Sequence, residues 1–308
     1  MPLNAELAAL LAAVPLVPFT GDPVAVRAQM SAQMQHRPVT TPLERVEDRT
    51  IPGPEGAPAL PVRIYAPSTE PGLPVVVFFH GGGFCIGGID SHDPVARKMA
   101  EQVGCLVVSV DYRLAPEHPF PAAHEDAYAA YAWVRAHAAE LGGDPARVAV
   151  AGDSAGGSLS AAVCLMARDR GVPQPEFQLL WYPATDLSAE SHQADSEDPL
   201  LPQTAMDWFT EHFFSKIDEA DLVPYASVGL AEDLSGLAPA LIVVAGVDPL
   251  HDQGVAYAAR LAEAGVPAVL EDYEDMSHGF VSFADFVPPA AKATEGSYAA
   301  LRAAFGTA

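Results

Sequence analysis

The segment Gly152-Asp153-Ser154-Ala155-Gly156 constrains this chain more than any other. A strand-like run, Arg147 to Ala151, leads into it, and a helix-forming stretch, Ala155 to Arg170, leads out and stops at Gly171. A serine between two glycines at a strand-to-helix junction sits on a strained turn with its Oγ projecting from the sheet. Gly152 and Gly156 leave room for neighbouring backbone at that turn. The helix start adds positive potential where negative charge develops on a bound oxygen. The competing reading is a glycine-rich helix start without chemistry, and the strand in front of the motif argues against it.

The surrounding pattern agrees. Val75 to Phe79, Leu106 to Val110 and Val148 to Ala151 are continuous apolar runs, as expected of strands buried on both faces. Arg63-Ile64-Tyr65, Phe177 to Trp181, Leu241 to Ala245 and Ala268 to Tyr273 read as further strands, and Ala122 to Leu141 as a helix ended by Gly142-Gly143. Strands alternating with helices of this length predict an α/β architecture, a mostly parallel sheet covered on both faces. Residues 1–45 read as helical, with Leu7, Leu10, Leu11 and Val14 on one face and a break at Thr20-Gly21-Asp22-Pro23. Residues from about 186 to 238 hold no strong strand; a polar loop, Ser188 to Asp198, precedes Met206 to Phe214. An insertion of this kind, apolar on part of its surface, can close over a site.

Two further segments complete a constellation. His80-Gly81-Gly82-Gly83 directly follows the Val75 to Phe79 strand. Consecutive glycines let backbone N–H groups approach a substrate oxygen, so Gly82, Gly83 and Ala155 are the candidate donors of an oxyanion hole. A phosphate-binding loop would need a G-K-[ST] ending, which is missing. A serine turn of this type belongs to the α/β-hydrolase fold, whose catalytic acid lies between serine and histidine in the chain. His278 follows the last convincing strand and is the candidate base; His36, His118, His124, His137 and His192 fall outside that order and read as surface residues. Asp248 follows the Leu241 to Ala245 strand, where open α/β sheets place their sites. Asp252, about a turn later in a helix starting near Pro249, is its rival. Asp248 could also serve only as a helix cap before Pro249.

Composition narrows the partners. With 16 Lys plus Arg against 40 Asp plus Glu, the net charge is −24, which repels nucleic-acid phosphates and anionic lipid surfaces. Cys85, Cys105 and Cys164 lie far apart in apolar runs and read as buried free thiols, with no metal-binding cluster. The apolar stretch Leu7 to Val17 is preceded by Glu6 and interrupted by Pro15, so it reads neither as a signal peptide nor as a membrane span. The expectation is a soluble cytoplasmic protein.

On these motifs the chain resembles the bacterial hormone-sensitive lipase family of esterases. The matching residues are His80-Gly81-Gly82-Gly83-Phe84, Asp111-Tyr112-Arg113-Leu114-Ala115-Pro116-Glu117, Gly152-Asp153-Ser154-Ala155-Gly156-Gly157, Asp248-Pro249-Leu250 and His278-Gly279-Phe280. Asp207-Trp208-Phe209 and Pro224-Tyr225-Ala226-Ser227 are also similar to family segments, and Asp153 points to the GDSAG branch. The resemblance implies an eight-stranded sheet in a catalytic domain over residues 46–308. It implies a helical cap built from residues 1–45 and an insertion at about 190–225. It further implies hydrolysis of short- to medium-chain neutral acyl esters by Ser154, Asp248 and His278, without a cofactor. The segment from Asp111 to Glu117 is expected to buttress the oxyanion loop. Phe84, Trp208, Phe209, Phe213 and Phe280 are candidates for an apolar substrate pocket and equally for ordinary core. The chain departs from the family after Asp248, with His251 and Gln253 where Arg and Glu are frequent. An amidase, a deacetylase, another acyl transferase and a non-catalytic receptor on the same fold are the rivals, and a homodimer is left open.

Overall fold

The computed structural model describes residues 2–13, 16–34, 41–188, 197–214, 217 and 222–307. Its strands are β1 (Arg45–Ile51), β2 (Leu60–Ala66), β3 (Leu73–Phe79), β4 (Leu106–Val110), β5 (Gly143–Asp153), β6 (Gln178–Trp181), β7 (Ala240–Ala245) and β8 (Ala268–Tyr273). They form one eight-stranded sheet in the order β1-β2-β4-β3-β5-β6-β7-β8. β2 runs antiparallel to both β1 and β4, and all other pairs are parallel.

The apolar runs form the centre of this sheet because β3, β4 and β5 are covered on both faces. Alternate residues enter two cores. Val75, Val77, Phe79, Val148 and Val150 pack on one side, and Val76, Phe78, Ala149 and Ala151 on the other. The first core takes Tyr131 from α4 (Ala122–His137), Leu159 from α5 (Ala155–Asp169) and Tyr257 from α7 (His251–Glu263). The second takes Leu7 from α1 (Ala5–Ala13), Met99 from α3 (Ile89–Val103) and Tyr298 from α8 (Pro288–Ala304). The sequence pattern does not mark α3, because Pro94 lies inside it, a residue that normally breaks a helix. Gly104 closes it in the left-handed conformation, donating its N–H to Ala100 O at 3.1 Å.

The first core also receives α2 (Pro23–Met34), through Val26, and α6 (Gln203–His212), through Met206, Trp208 and Phe209. Trp208 Nε1–H donates to Gly21 O at 2.8 Å, and Phe19 lies 5.8 Å from the Trp208 ring and 5.3 Å from the Phe209 ring, centroid to centroid. The N-terminal segment and the insertion therefore pack on each other. Much of the polar loop expected over Ser188 to Asp198 lies outside the described residues, as do Val14, His36 and His192.

Candidate active site

The serine turn has the geometry that the sequence pattern requires. Ser154 has φ 55°, a region that L-residues rarely occupy and that costs about 1–3 kcal/mol. The turn holds because its neighbours are tied. Ser154 N–H donates to Trp181 O at 2.9 Å, and Ser154 O accepts from Ser158 N–H at 3.0 Å at the start of α5. A Cβ on Gly156 would meet Phe79 O at 2.0 Å, and one on Gly152 would meet the Gly156 carbonyl at 2.3 Å. Only glycine fits at either position.

The ends of three strands deliver three side chains to one point. Ser154 follows β5, Asp248 lies just past β7 and His278 lies in the loop after β8. His278 Nε2 is 2.8 Å from Ser154 Oγ, and His278 Nδ1 is 2.6 Å from Asp248 Oδ2. Asp248 is fully enclosed, and its other oxygen accepts the Leu250 N–H at 2.8 Å. Burial pushes the His278 imidazole toward its neutral form. The charge and hydrogen bond of Asp248, followed by the charges of Asp198 and Asp153, outweigh burial and hold its pKa above the ordinary 6.5. Asp252 takes no part: it lies 2.8 Å from His251 on the surface, and His251 in turn reaches Asp272 at 3.0 Å.

The glycine loop after β3 lies against this turn. Gly82 has φ 123° and Gly83 φ 56°; a Cβ on Gly82 would strike Ile86 O at 2.2 Å, and one on Gly83 would strike the Phe209 ring at 2.3 Å. The N–H groups of Gly82 and Gly83 have no hydrogen-bond partner among the described residues. The Ala155 N–H belongs to the first turn of α5, whose donors have no partner within the helix. Three backbone donors therefore lie around the serine turn.

The segment from Asp111 to Glu117 braces that loop as expected. Tyr112 OH donates to His80 O at 2.7 Å, its ring stacks on His80 at 4.2 Å, and Ala115 N–H donates to Phe84 O at 2.8 Å. Arg27 of α2 adds a clamp, donating to Cys85 O at 2.6 Å and pairing with Glu117 at 2.7 Å.

Two carboxylates near the site make contacts that the sequence does not mark. Asp153 Oδ1 accepts the Gly81 N–H at 2.9 Å, joining the glycine loop to the serine turn, and His92 Nε2 lies 3.3 Å from the same oxygen. Burial pushes the Asp153 carboxyl up, but His92, His80 and the Gly81 N–H outweigh it and hold the pKa low. Asp198, from the insertion, accepts from Ser277 Oγ at 2.6 Å and from His278 N–H at 2.7 Å. Asp153 stands inside the serine motif, but nothing in that motif marks its bond to the glycine loop, and no motif marks a role for Asp198.

The aromatic candidates separate into two groups. Phe84, Trp208, Phe209 and Phe213 belong to the core on the α5 side, with Phe84 stacked on Phe213 at 4.3 Å and Phe209 against Gly83. Phe280 lies in the opposite core, packed on Tyr182 and Tyr273, and so stands apart from the other four. His124 is a correction. It is not a surface residue but is buried in α4 between Phe84 and Phe120, and burial lowers its pKa to about 3. Gln253, at the departure from the family pattern, accepts the N–H groups of Thr185 at 3.1 Å and Asp186 at 3.0 Å through Oε1.

Cys85, Cys105 and Cys164 are free and buried. Among the described residues no group of three His, Cys, Asp or Glu side chains is placed to hold a metal ion, and no helix is long and apolar enough to cross a membrane.

This geometry has close counterparts. A family model described as the alpha/beta hydrolase fold matches residues 76–282. The carboxylesterase NlhH of Mycobacterium tuberculosis is 46% identical over 307 residues, spanning 98% of this chain and 96% of that protein. The esterase of Pyrobaculum calidifontis superposes with a TM-score of 0.88 at 41% identity, covering 98% of this chain and 99% of its own. The ester-hydrolase EH1AB1 from the Lake Arreo metagenome, solved with a bipyridine phosphonate derivative, gives 0.90 at 39% identity over 99% of this chain and 100% of that one. The sheet order, the serine turn and these similarities converge: the chain belongs to the α/β-hydrolase family, in its hormone-sensitive-lipase-like group.

Proposed function

We propose that the protein is a carboxylesterase that hydrolyses small neutral acyl esters through Ser154, His278 and Asp248. The observation that carries this reading is the unbroken contact from Ser154 Oγ through His278 to Asp248, at 2.8 and 2.6 Å, beside the unpartnered N–H groups of the glycine loop. Ser154 Oγ attacks the ester carbonyl carbon as His278 Nε2 takes its proton. The carbonyl π electrons move onto oxygen, and the N–H groups of Gly82, Gly83 and Ala155 hold that oxyanion; each such donor is worth about 2.7–4 kcal/mol. Asp248 keeps the Nδ1–H tautomer and stabilises the imidazolium. The imidazolium then protonates the departing alkoxide, leaving Ser154 acylated. Water, deprotonated by the same nitrogen, repeats the attack and releases the acid. That relatives bear the names carboxylesterase and esterase supports esters, rather than amides, as the substrates of this chain.

Residues 1–45 and the insertion at about 190–225 act as a cap in this reading. The Trp208 to Gly21 bond joins the two parts, and Phe209 against Gly83 brings the cap to the oxyanion loop. A capped pocket walled by Phe84, Trp208, Phe209 and Phe213 favours short and medium acyl chains. Phe280 is left out of that pocket. The buried free thiols fit a reducing, cytoplasmic setting.

The test is kcat/KM for p-nitrophenyl esters from acetate to palmitate, with matched anilides alongside. The expected profile peaks at short or medium chains, falls steeply toward palmitate, and is orders of magnitude lower for anilides. A preference for palmitate with activation at an oil–water interface, or anilides cleaved as fast as esters, would contradict it. The chain supplies nucleophile, base and oxyanion donors itself, so exhaustive chelation is expected to leave kcat unchanged. Loss of activity restored by a divalent ion would overturn that expectation.

A further inference from the structure

We propose that Asp198 is a positioning residue for the base, tying the insertion to the His278 loop and stabilising the His278 imidazolium with a second negative charge. The proposal rests on the reading of His278 as the general base. Asp198 is completely buried and lies 80 positions from His278 in the chain. Four donors among the described residues meet its two oxygens. Oδ1 accepts the N–H groups of Leu200 at 2.7 Å and Leu201 at 3.0 Å, together with Ser277 Oγ at 2.6 Å. Oδ2 accepts the backbone N–H of His278 at 2.7 Å. Burial and the neighbouring Asp248 charge raise the Asp198 pKa above the ordinary carboxylate value, and the donors work against that rise: backbone N–H groups cannot accept, so they favour the ionised carboxylate.

The chemistry needs both consequences of this arrangement. The bonds to Ser277 and to the His278 backbone fix the loop that aims the imidazole at Ser154. The buried charge adds to that of Asp248 as the imidazole becomes positive in the transition state. Other groups also face His278: Asp248 after β7, Asp153 at the end of β5 with Ser154 just after it, and the Tyr182 ring after β6 at 4.8 Å. Asp198 is the only one of these supplied by the insertion. An element that covers substrate would in this way also tune the base.

A charge that stabilises the imidazolium by some factor lowers its acidity constant, and so raises its pKa, while it raises the reaction rate by about the same factor; a second carboxylate at this range is worth about tenfold, or one pH unit. A purely structural residue would lower the rate without moving the pH profile. The measurement is kcat and KM for p-nitrophenyl butyrate across the acid limb, for wild type, Asp198→Asn and Asp198→Glu. In Asp198→Asn, kcat on the plateau is expected to fall about tenfold, KM to change little, and the acid limb to move about one unit to lower pH. Asp198→Glu keeps the charge and is expected to hold the limb near the wild-type position even where its rate is reduced. If Asp198→Asn does not fold, Asp198→Ser, which leaves space for water, is read in its place. A wild-type limb that stays put in the neutral variants would overturn the proposal. A wild type with no acid limb at all would instead overturn the assignment of His278 as base, so the two failures are distinct.

Discussion

Ser154→Ala is expected to lower kcat for p-nitrophenyl butyrate by about 10⁶, the scale of loss when the nucleophile of a serine hydrolase is removed. The substitution deletes one oxygen that touches His278 and leaves the backbone bonds of Ser154 to Trp181 and Ser158 in place. Alanine tolerates φ 55° no better and no worse than serine. The melting temperature and the circular dichroism spectrum should therefore match wild type, which separates lost chemistry from lost fold. The residual rate, roughly 10³–10⁴ above that in water, would come from the N–H donors and substrate positioning. A variant retaining a tenth of wild-type activity would place the nucleophile elsewhere.

Asp248→Asn is the second large effect, about 10⁴ in kcat, and its direction follows from two hydrogen bonds. One oxygen of Asp248 accepts the Leu250 N–H and the other meets His278 Nδ1. In the asparagine variant the carbonyl oxygen stays on the Leu250 N–H, which needs an acceptor, and the amide NH₂ turns to Nδ1. That nitrogen must then accept, so the imidazole proton moves to Nε2, the atom that should take the proton from Ser154. Asp252→Asn alters a surface contact with His251, away from Ser154, and is expected to cost less than twofold, within the range of ordinary surface substitutions. Equal losses in the two variants would contradict the assignment.

The acid limb of the wild-type profile carries a sign as well. His278 works as a base only when neutral, and its pKa is held above 6.5. Activity is therefore lost as pH falls through that raised value, and kcat/KM rises with pH to a plateau on the mildly alkaline side. A rate that falls from acidic to alkaline pH would contradict the assignment of His278.

What the sequence makes legible here is what rests on local pattern. The run of buried residues in β5, the two glycines around Ser154 and the helix after it are close in the chain, so the serine turn can be read directly. Asp248 follows from its place at a strand end. The contributions of Asp153 and Asp198 depend on contacts 72 and 80 positions away, and short-range spacing holds no trace of them. The burial of His124 is legible in the sequence. His124 shares one helical face with the buried Ala127 and Tyr131, and that spacing marks it as core rather than surface. Phe280 shows the opposite limit. It lies two residues past His278 in the loop after β8, but only the packing against Tyr182 and Tyr273 decides which side of the sheet the ring enters.

The most direct test of a covalent ester hydrolase built on Ser154 is to trap the intermediate. Enzyme mixed with p-nitrophenyl acetate and quenched in acid within the first turnovers would be digested and mapped by tandem mass spectrometry. The account predicts one acetyl group on the peptide carrying Ser154, absent from Ser154→Ala and more persistent in Asp248→Asn. Acetylation at another residue in step with turnover, or rapid turnover in Ser154→Ala, would contradict it.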